Sequence, residues 1–251
     1  MTNTPALDFA RDGFCTVPPV LDPSALPAAN DTMDRLLAGR YATGVAPFQV
    51  DTGALVRMDQ PQMADHAITD MLRRSNLGEV AAAVTGASMI QVWAMQLIHK
   101  PSSATDVANV GWHQDEDYWQ GWWEGEVFTC WLALSDVAED CGPVRFVRGS
   151  HQWGFLNSGN FFVPDLESSA ERDRVPEGEV WEEAAAVLPA GGASFHHRLT
   201  IHGSGANTSG RPRRSYAVHL RTEKSTMLPG LRDVYQEHLT DPALSPILYE
   251  A

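Results

Sequence analysis

The stretch Gly111-Trp112-His113-Gln114-Asp115 sets an imidazole and a carboxylate two residues apart. On an extended backbone such residues project to one side, so His113 and Asp115 can present a nitrogen and an oxygen to one metal ion. His-x-Asp arises by chance in many chains, and a lone histidine is more often hydrogen-bonded than ligating. A second histidine, His202, lies far along the chain in Leu199-Thr200-Ile201-His202-Gly203-Ser204-Gly205. A ligand from a remote strand would complete a facial triad of two histidines and one carboxylate, leaving three coordination positions open. Standing alone, His202 reads equally as a core or turn histidine. Arg213 follows within Gly210-Arg211-Pro212-Arg213-Arg214-Ser215-Tyr216. If His202 ends a strand and Arg213 begins its hairpin partner, the guanidinium comes near the metal and grips a carboxylate through two parallel hydrogen bonds. Arg211 reads as a solvated turn residue.

The elements that must position these groups are short. Helical spacing of Leu26, Ala29, Met33 and Leu36 or Leu37 predicts a helix from Ser24 to Ala38, and Ile68, Met71, Leu72, Leu77, Val80 and Val84 predict a helical region over about Ala64 to Val84, closed by Gly86. Beyond these, β-type runs cover Met89 to His99, Val127 to Leu134, Val144 to Val147, Ala185 to Leu188, Ala193 to His197 and Ser215 to Leu220. Tyr216, Val218 and Leu220 alternate with Ala217 and His219, as in a strand with two different faces. Gly and Pro turns punctuate the runs, which predicts a mainly β fold with flanking helices, a sandwich or jelly roll. The polar stretch Asn157 to Glu183 reads as an insertion or lid.

At 251 residues the chain fits one domain, with 43% hydrophobic and 20% charged residues, ordinary for a globular protein. A helical part covers about 1–87, a β core about 88–222 and a tail about 223–251. The net charge of −14 argues against a nucleic-acid partner. Three cysteines without C-x-x-C spacing suggest neither a disulfide framework nor a thiolate zinc site. No apolar run approaches a membrane span or a leader, so the expected setting is soluble and cytoplasmic.

In combination these motifs resemble the phytanoyl-CoA dioxygenase family of 2-oxoglutarate-dependent oxygenases. The resemblance runs from Phe9-Ala10-Arg11-Asp12-Gly13-Phe14 to about Leu220. It is carried by Leu97-Ile98-His99-Lys100-Pro101, Trp112-His113-Gln114-Asp115, Gly142-Pro143 through Gly149-Ser150-His151, and Ile201-His202-Gly203-Ser204-Gly205 with Asn207 and Arg213. It implies a cupin-like double-stranded β-helix, and His113, Asp115 and His202 as ligands of Fe(II). It further implies Arg213 and Ser204 on the distal carboxylate of 2-oxoglutarate, Trp131 packed against that co-substrate, and Gln96 lining its pocket. The implied chemistry consumes O2, releases succinate and CO2, and oxidises an unactivated C–H bond. Related halogenases lack the carboxylate that Asp115 provides, so hydroxylation is favoured over halogenation, with desaturation and cyclisation open.

The substrate is less legible. Tyr118, Trp119, Trp122 and Trp123 either line an apolar pocket or pack as core, with Trp119 the best placed. Glu116, Asp117 and Glu124 suit an amine or form a solvated acidic loop, and Arg57 is positioned to meet a substrate carboxylate. Without a basic groove a CoA ester is not expected; a small secondary metabolite or amino-acid derivative is. The rival readings are a cupin-like metalloenzyme that works without 2-oxoglutarate, and a binding module that keeps the fold without turnover.

Overall fold

The computed structural model describes residues 4–102, 108–157, 159–162, 166, 172–229 and 234–251. Helix α1 (Pro5–Asp12) stops at Gly13, and strand β1 (Phe14–Val17) follows at once. Helix α2 (Leu26–Leu37) buries Ala29, Met33 and Leu36, as their spacing predicts. The helical region expected over about Ala64 to Val84 is two helices, α3 (Ala67–Arg74) and α4 (Leu77–Thr85). Ser75 makes the break: its hydroxyl donates to Leu72 O at 2.6 Å and accepts from Leu77 N at 3.2 Å, capping the end of one helix and the start of the next. The apolar rhythm continues through the break because both helices bury the same side.

All strands but one short two-stranded ribbon fall into two sheets. The larger runs β1, β10 (Ala193–His197), β7 (Val127–Ala133), β12 (Arg213–Thr222), β4 (Met89–Lys100), β3 (Val56–Asp59) and β2 (Gln49–Thr52), with β14 (Ile247–Glu250) also on β4. The smaller runs β5 (Val110–His113), β11 (His202–Ser204), β8 (Val144–Val147) and β9 (Glu183–Ala185). This is the expected jelly roll. The part expected to be helical, 1–87, also supplies three strands of the larger sheet, and the tail supplies a fourth together with α6 (Val234–Glu237). Among the described residues no helix is long and apolar enough to cross a membrane.

Tyr216, Val218 and Leu220 join Leu97, Phe128 and the buried faces of α2, α3 and α4 in one core outside the larger sheet. Ala217 and His219 point the other way, into a cavity between the sheets. A bulge interrupts β4: His219 pairs with Ala94 but Leu220 with Val92. Ile90 and Val92 before it, and Met95 and Leu97 after it, all join the outer core, so Trp93 and Ala94 both turn inward.

Helix α4 packs so closely on the C-terminal strand that a Cβ on Gly78 would meet the carbonyl oxygen of Leu248. An exposed helical glycine replaced by alanine gains about 0.5–1 kcal/mol, whereas overpacking costs about 1–3 kcal/mol. Gly78→Ala is therefore expected to lower the thermal midpoint followed by circular dichroism, the reverse of the propensity effect.

Candidate active site

His113 closes β5, and the chain then turns through Gln114 into a one-turn helix, α5 (Glu116–Trp119), with Asp115 at its N-cap in helical conformation. His113 and Asp115 thus converge because the backbone turns, not because they share a strand face. Gln114 locks the turn: its amide donates to Gly154 O and Leu199 O at 2.9 and 2.7 Å, and its carbonyl accepts from Leu156 N at 2.8 Å. His202 begins β11 directly opposite His113. One ligand atom from each of His113, Asp115 and His202 lies within 4.8 Å of the others.

Each imidazole is oriented by the carbonyl two residues before it. Nδ1 of His113 lies 2.8 Å from Gly111 O, and Nδ1 of His202 lies 2.9 Å from Thr200 O. A carbonyl only accepts, so both Nδ1 atoms carry hydrogen and both Nε2 lone pairs face the centre. Burial first, then neighbouring imidazoles, lowers His202 well below its ordinary pKa, and burial lowers His113 against the pull of Asp115. Burial opposes ionisation of Asp115, but His202 and His196 outweigh it and hold the carboxyl below the usual range. The donor set is two neutral imidazoles and a carboxylate, suited to a divalent metal.

Thr129 donates to Asp115 Oδ2 at 2.7 Å, and His219 Nδ1 lies 2.9 Å from the same hydroxyl. The single hydroxyl proton goes to the carboxylate, so His219 donates to Thr129. His196 Nε2 sits 3.2 Å from Oδ2 but is not aligned for a hydrogen bond. Oδ2 is thereby held, and Oδ1 is left facing His202 at 3.7 Å.

The closed end of the cavity is cationic. Arg213 is fully buried, donates to Gly142 O and, at 2.9 Å, to Ser204 Oγ, and lies over Trp131 with 5.1 Å to the ring centroid. Its Nε–H has no partner. Lys100, opposite Arg213 on β4, donates to Ser204 Oγ at 2.6 Å and to Gly205 O at 2.7 Å. Burial, then the Arg213 charge, pushes the Lys100 ammonium down to about 5, and burial lowers Arg213 to about 10. Among the described residues neither basic group has a carboxylate partner. His202 and Arg213 are not on hairpin partners: β11 belongs to the smaller sheet and β12 to the larger, so Arg213 reaches Ser204 across the jelly roll.

These ends share one cavity of about 360 Å³. Ten of the residues singled out by sequence border it: His113, Asp115, His202, Ser204, Arg213, Trp131, Gln96, Trp119, Tyr118 and Arg57. Trp122 also borders it, whereas Trp123 packs behind in a cluster with Trp93 and Trp119. The acidic residues do not: Glu116 faces Arg198 at 3.4 Å, Asp117 accepts from Gln114 N, and Glu124 lies in β6 (Trp123–Glu124), paired with β13 (Thr226–Met227). Of the expected lid, Phe161 and Phe162 border the cavity, while 158, 163–165 and 167–171 lie outside the described residues. Sequence reasoning missed Thr129, His196 and His219, which face inward only by strand parity, Trp93, which the bulge redirects, and Asp59.

A double-stranded β-helix with two imidazoles and one carboxylate converging between its sheets is the layout of cupin-like non-haem metal-dependent oxygenases. The chain belongs to the phytanoyl-CoA dioxygenase family, whose sequence profile matches residues 9–215. A phytanoyl-CoA dioxygenase domain-containing protein 1 of Danio rerio is 28% identical over 121 residues, 46% of this chain and 40% of that one. A probable alpha-ketoglutarate-dependent hypophosphite dioxygenase of Stutzerimonas stutzeri is 26% identical over 159 residues, 63% of this chain and 54% of that one. The chain thus spans about half the length of these curated relatives. The non-haem alpha-ketoglutarate-dependent carbocyclase SnoK from nogalamycin biosynthesis superposes with a TM-score of 0.76 at 20% identity, covering 99% of this chain and 96% of that one, a likeness of fold.

Thr129→Val keeps the shape of the side chain but removes the donor to Asp115 Oδ2. Losing such an orienting partner costs about 10–100-fold in metal affinity. Titration with Co(II), followed by its visible absorption, is expected to show that loss with the circular dichroism spectrum unchanged.

Proposed function

We propose that the chain is an Fe(II)- and 2-oxoglutarate-dependent dioxygenase that hydroxylates an unactivated C–H bond of a small metabolite, releasing succinate and CO2, with residues 1–251 acting as one catalytic unit. The observation that carries this reading is one cavity bordered both by His113, Asp115 and His202 and by the anion-seeking pair Arg213 and Ser204. The donor set fits Fe(II), and a buried guanidinium without a protein carboxylate fits the distal acid group of the co-substrate.

In this reading His113, Asp115 and His202 hold the iron on one face. Iron with 2-oxoglutarate and O2 supplies an oxidant able to attack an unactivated C–H bond. Arg213 and Ser204 take the distal carboxylate of 2-oxoglutarate, the unpartnered Nε–H of Arg213 gaining an acceptor, while Lys100 braces Ser204 from behind. Trp131 holds the guanidinium face, and Gln96 borders the path toward the mouth. Asp115 occupies the position a halide would need, which favours hydroxylation over halogenation. Trp119, Tyr118 and Arg57 serve the substrate. The buried wall of Val110, Ile98 and Trp93 keeps water from the reacting centre.

Anaerobic addition of Fe(II) and 2-oxoglutarate together is expected to give a weak visible charge-transfer band, absent in Asp115→Ala. No band under any condition would favour a cupin-like enzyme that works without 2-oxoglutarate. Arg213→Gln removes charge-assisted hydrogen bonds and should raise the 2-oxoglutarate concentration for half-maximal band by about 10–100-fold. With oxygen and a metabolite panel, mass spectrometry should find products heavier by one oxygen atom. Products lighter by two hydrogens would instead assign desaturation or ring closure, and a chlorinated product would overturn the role given to Asp115.

A further inference from the structure

The β2–β3 hairpin contributes Gln49, Arg57 and Asp59 to the cavity wall. Arg57 and Asp59 lie two residues apart on β3, on one face, and both border the cavity. Asp59 is 5% exposed, and its Oδ1 has no hydrogen-bond partner. Gln96 and Tyr235 favour the ionised carboxyl group, but the Arg57 Nε stops 3.9 Å from Oδ1, beyond hydrogen-bond range. The Arg57 side chain is 13% exposed and makes no hydrogen bond to a described residue. Its guanidinium is held 5.2 and 5.3 Å from the ring centroids of Phe161 and Phe162. A cation and an anion therefore sit side by side, each incompletely matched, at the entrance to the proposed reaction centre.

We infer that Arg57 and Asp59 form a head-group subsite and that the substrate is a free α-amino acid, its ammonium on Asp59 Oδ1, its carboxylate on Arg57, and its apolar side chain running inward. This rests on the oxygenase reading above, whose substrate class it specifies. A ligand with only an acid group would satisfy Arg57 and be repelled by Asp59; an amine alone would do the reverse. A neutral polyol would leave the guanidinium charge unmatched. A zwitterion answers both and adds no net charge to a largely buried pair, where an unmatched ion is costly. Burial raises the Asp59 carboxyl above its ordinary range, with Arg57 opposing, as befits an acid that lacks a close cation.

The dimensions agree. Asp59 pairs with Gln96, and His219, one hydrogen bond from the Thr129 hydroxyl that holds Asp115, pairs with Ala94. Two strand spacings and two residue rises separate the backbones of Asp59 and His219, roughly 10–12 Å. After allowance for the contacts at each end, that leaves about the length of one amino-acid side chain. The intervening wall is aromatic, with Trp93 edge-on to Trp119 and Trp122 at 5.0 and 6.1 Å between ring centroids. It suits a large apolar side chain.

The test is equilibrium binding to the anaerobic protein with Fe(II) and 2-oxoglutarate, read by quenching of tryptophan fluorescence. The probes are L-phenylalanine, L-leucine and L-methionine against 3-phenylpropionate and phenethylamine, which lack the amine and the acid. L-Phenylalanine is expected to bind about 10–100-fold more tightly than either analogue. Asp59→Asn should remove its advantage over 3-phenylpropionate, and Arg57→Gln its advantage over phenethylamine. Binding of the analogues as tightly as the amino acid, or binding of no probe, overturns the inference. The wild-type comparison decides even if Asp59→Asn does not fold. The charge-transfer band is recorded before the probes are added. A band without amino-acid binding leaves the oxygenase reading standing and this one overturned, whereas no band marks failure of the oxygenase reading itself.

Discussion

The Arg213 guanidinium and the Lys100 amino group beside it are buried between the sheets with no carboxylate partner among the described residues, and burial with the Arg213 charge pushes Lys100 toward its neutral form. Removing a charge from water costs several kcal/mol even after relaxation, so the surrounding structure has to supply oriented dipoles. It does so with Ser204 Oγ and the carbonyls of Gly142 and Gly205. Those acceptors come from β11 and from the turn before β8, both of the smaller sheet, whereas the basic groups come from β12 and β4 of the larger. Solvating the two groups therefore clasps one sheet to the other. Gly142 makes the clasp possible: its φ is +63°, and a Cβ there would meet the carbonyl oxygen of Gly205. Neutral acceptors lower the cost of the charge without cancelling it, and a bound anion would complete the arrangement.

The same economy governs the centre. His113 and His202 are oriented by carbonyls of their own segments, Gly111 and Thr200, so neither ring needs a remote partner to fix its tautomer. Asp115 is different: it sits in a helical turn and depends on Thr129, which in turn depends on His219. The larger sheet thus reaches the carboxylate of the triad but not the nitrogen of either histidine. Burial keeps His113, His202 and His219 toward the neutral form, which for the first two is the form that offers a lone pair to a metal.

Much of this was legible in the sequence because it depends on local rhythm or on residue type. The two faces of β12 are plain in the alternation of Tyr216, Val218 and Leu220 with Ala217 and His219. The residues His113, Asp115, His202 and Arg213 stand out only in combination: each alone has a commoner structural reading, and their order and offsets, with Ser204, carry the family resemblance. What was hidden depends on geometry that no local pattern encodes. Ser75 divides the helical region without disturbing its apolar period. The bulge in β4 shifts parity by one residue, so Trp93 faces the cavity although simple alternation places it elsewhere. The assignment of Arg213 to a hairpin with His202 failed because proximity in sequence hides which sheet each strand joins. Asp59 drew no notice because an aspartate beside an arginine on a short strand reads as a surface ion pair.

The inner end of the cavity and its mouth are built by different means. Arg213, Lys100, Thr129, Trp131 and His202 stand on strands whose register is fixed on both sides, so a shift of any one strand would displace several of them together. The mouth is assembled from the β2–β3 hairpin at the sheet edge, the single turn of α5, Phe161 with Phe162, and Tyr235 of α6. Each of these can change without altering the register of the central strands. A fold built this way keeps the metal and anion donors constant while the mouth varies, because rigid strands hold the donors and peripheral segments shape the entrance. The position of Arg57 and Asp59 on the peripheral hairpin is what that division would require of the substrate-selecting role proposed for them, not of groups that carry out an oxidation.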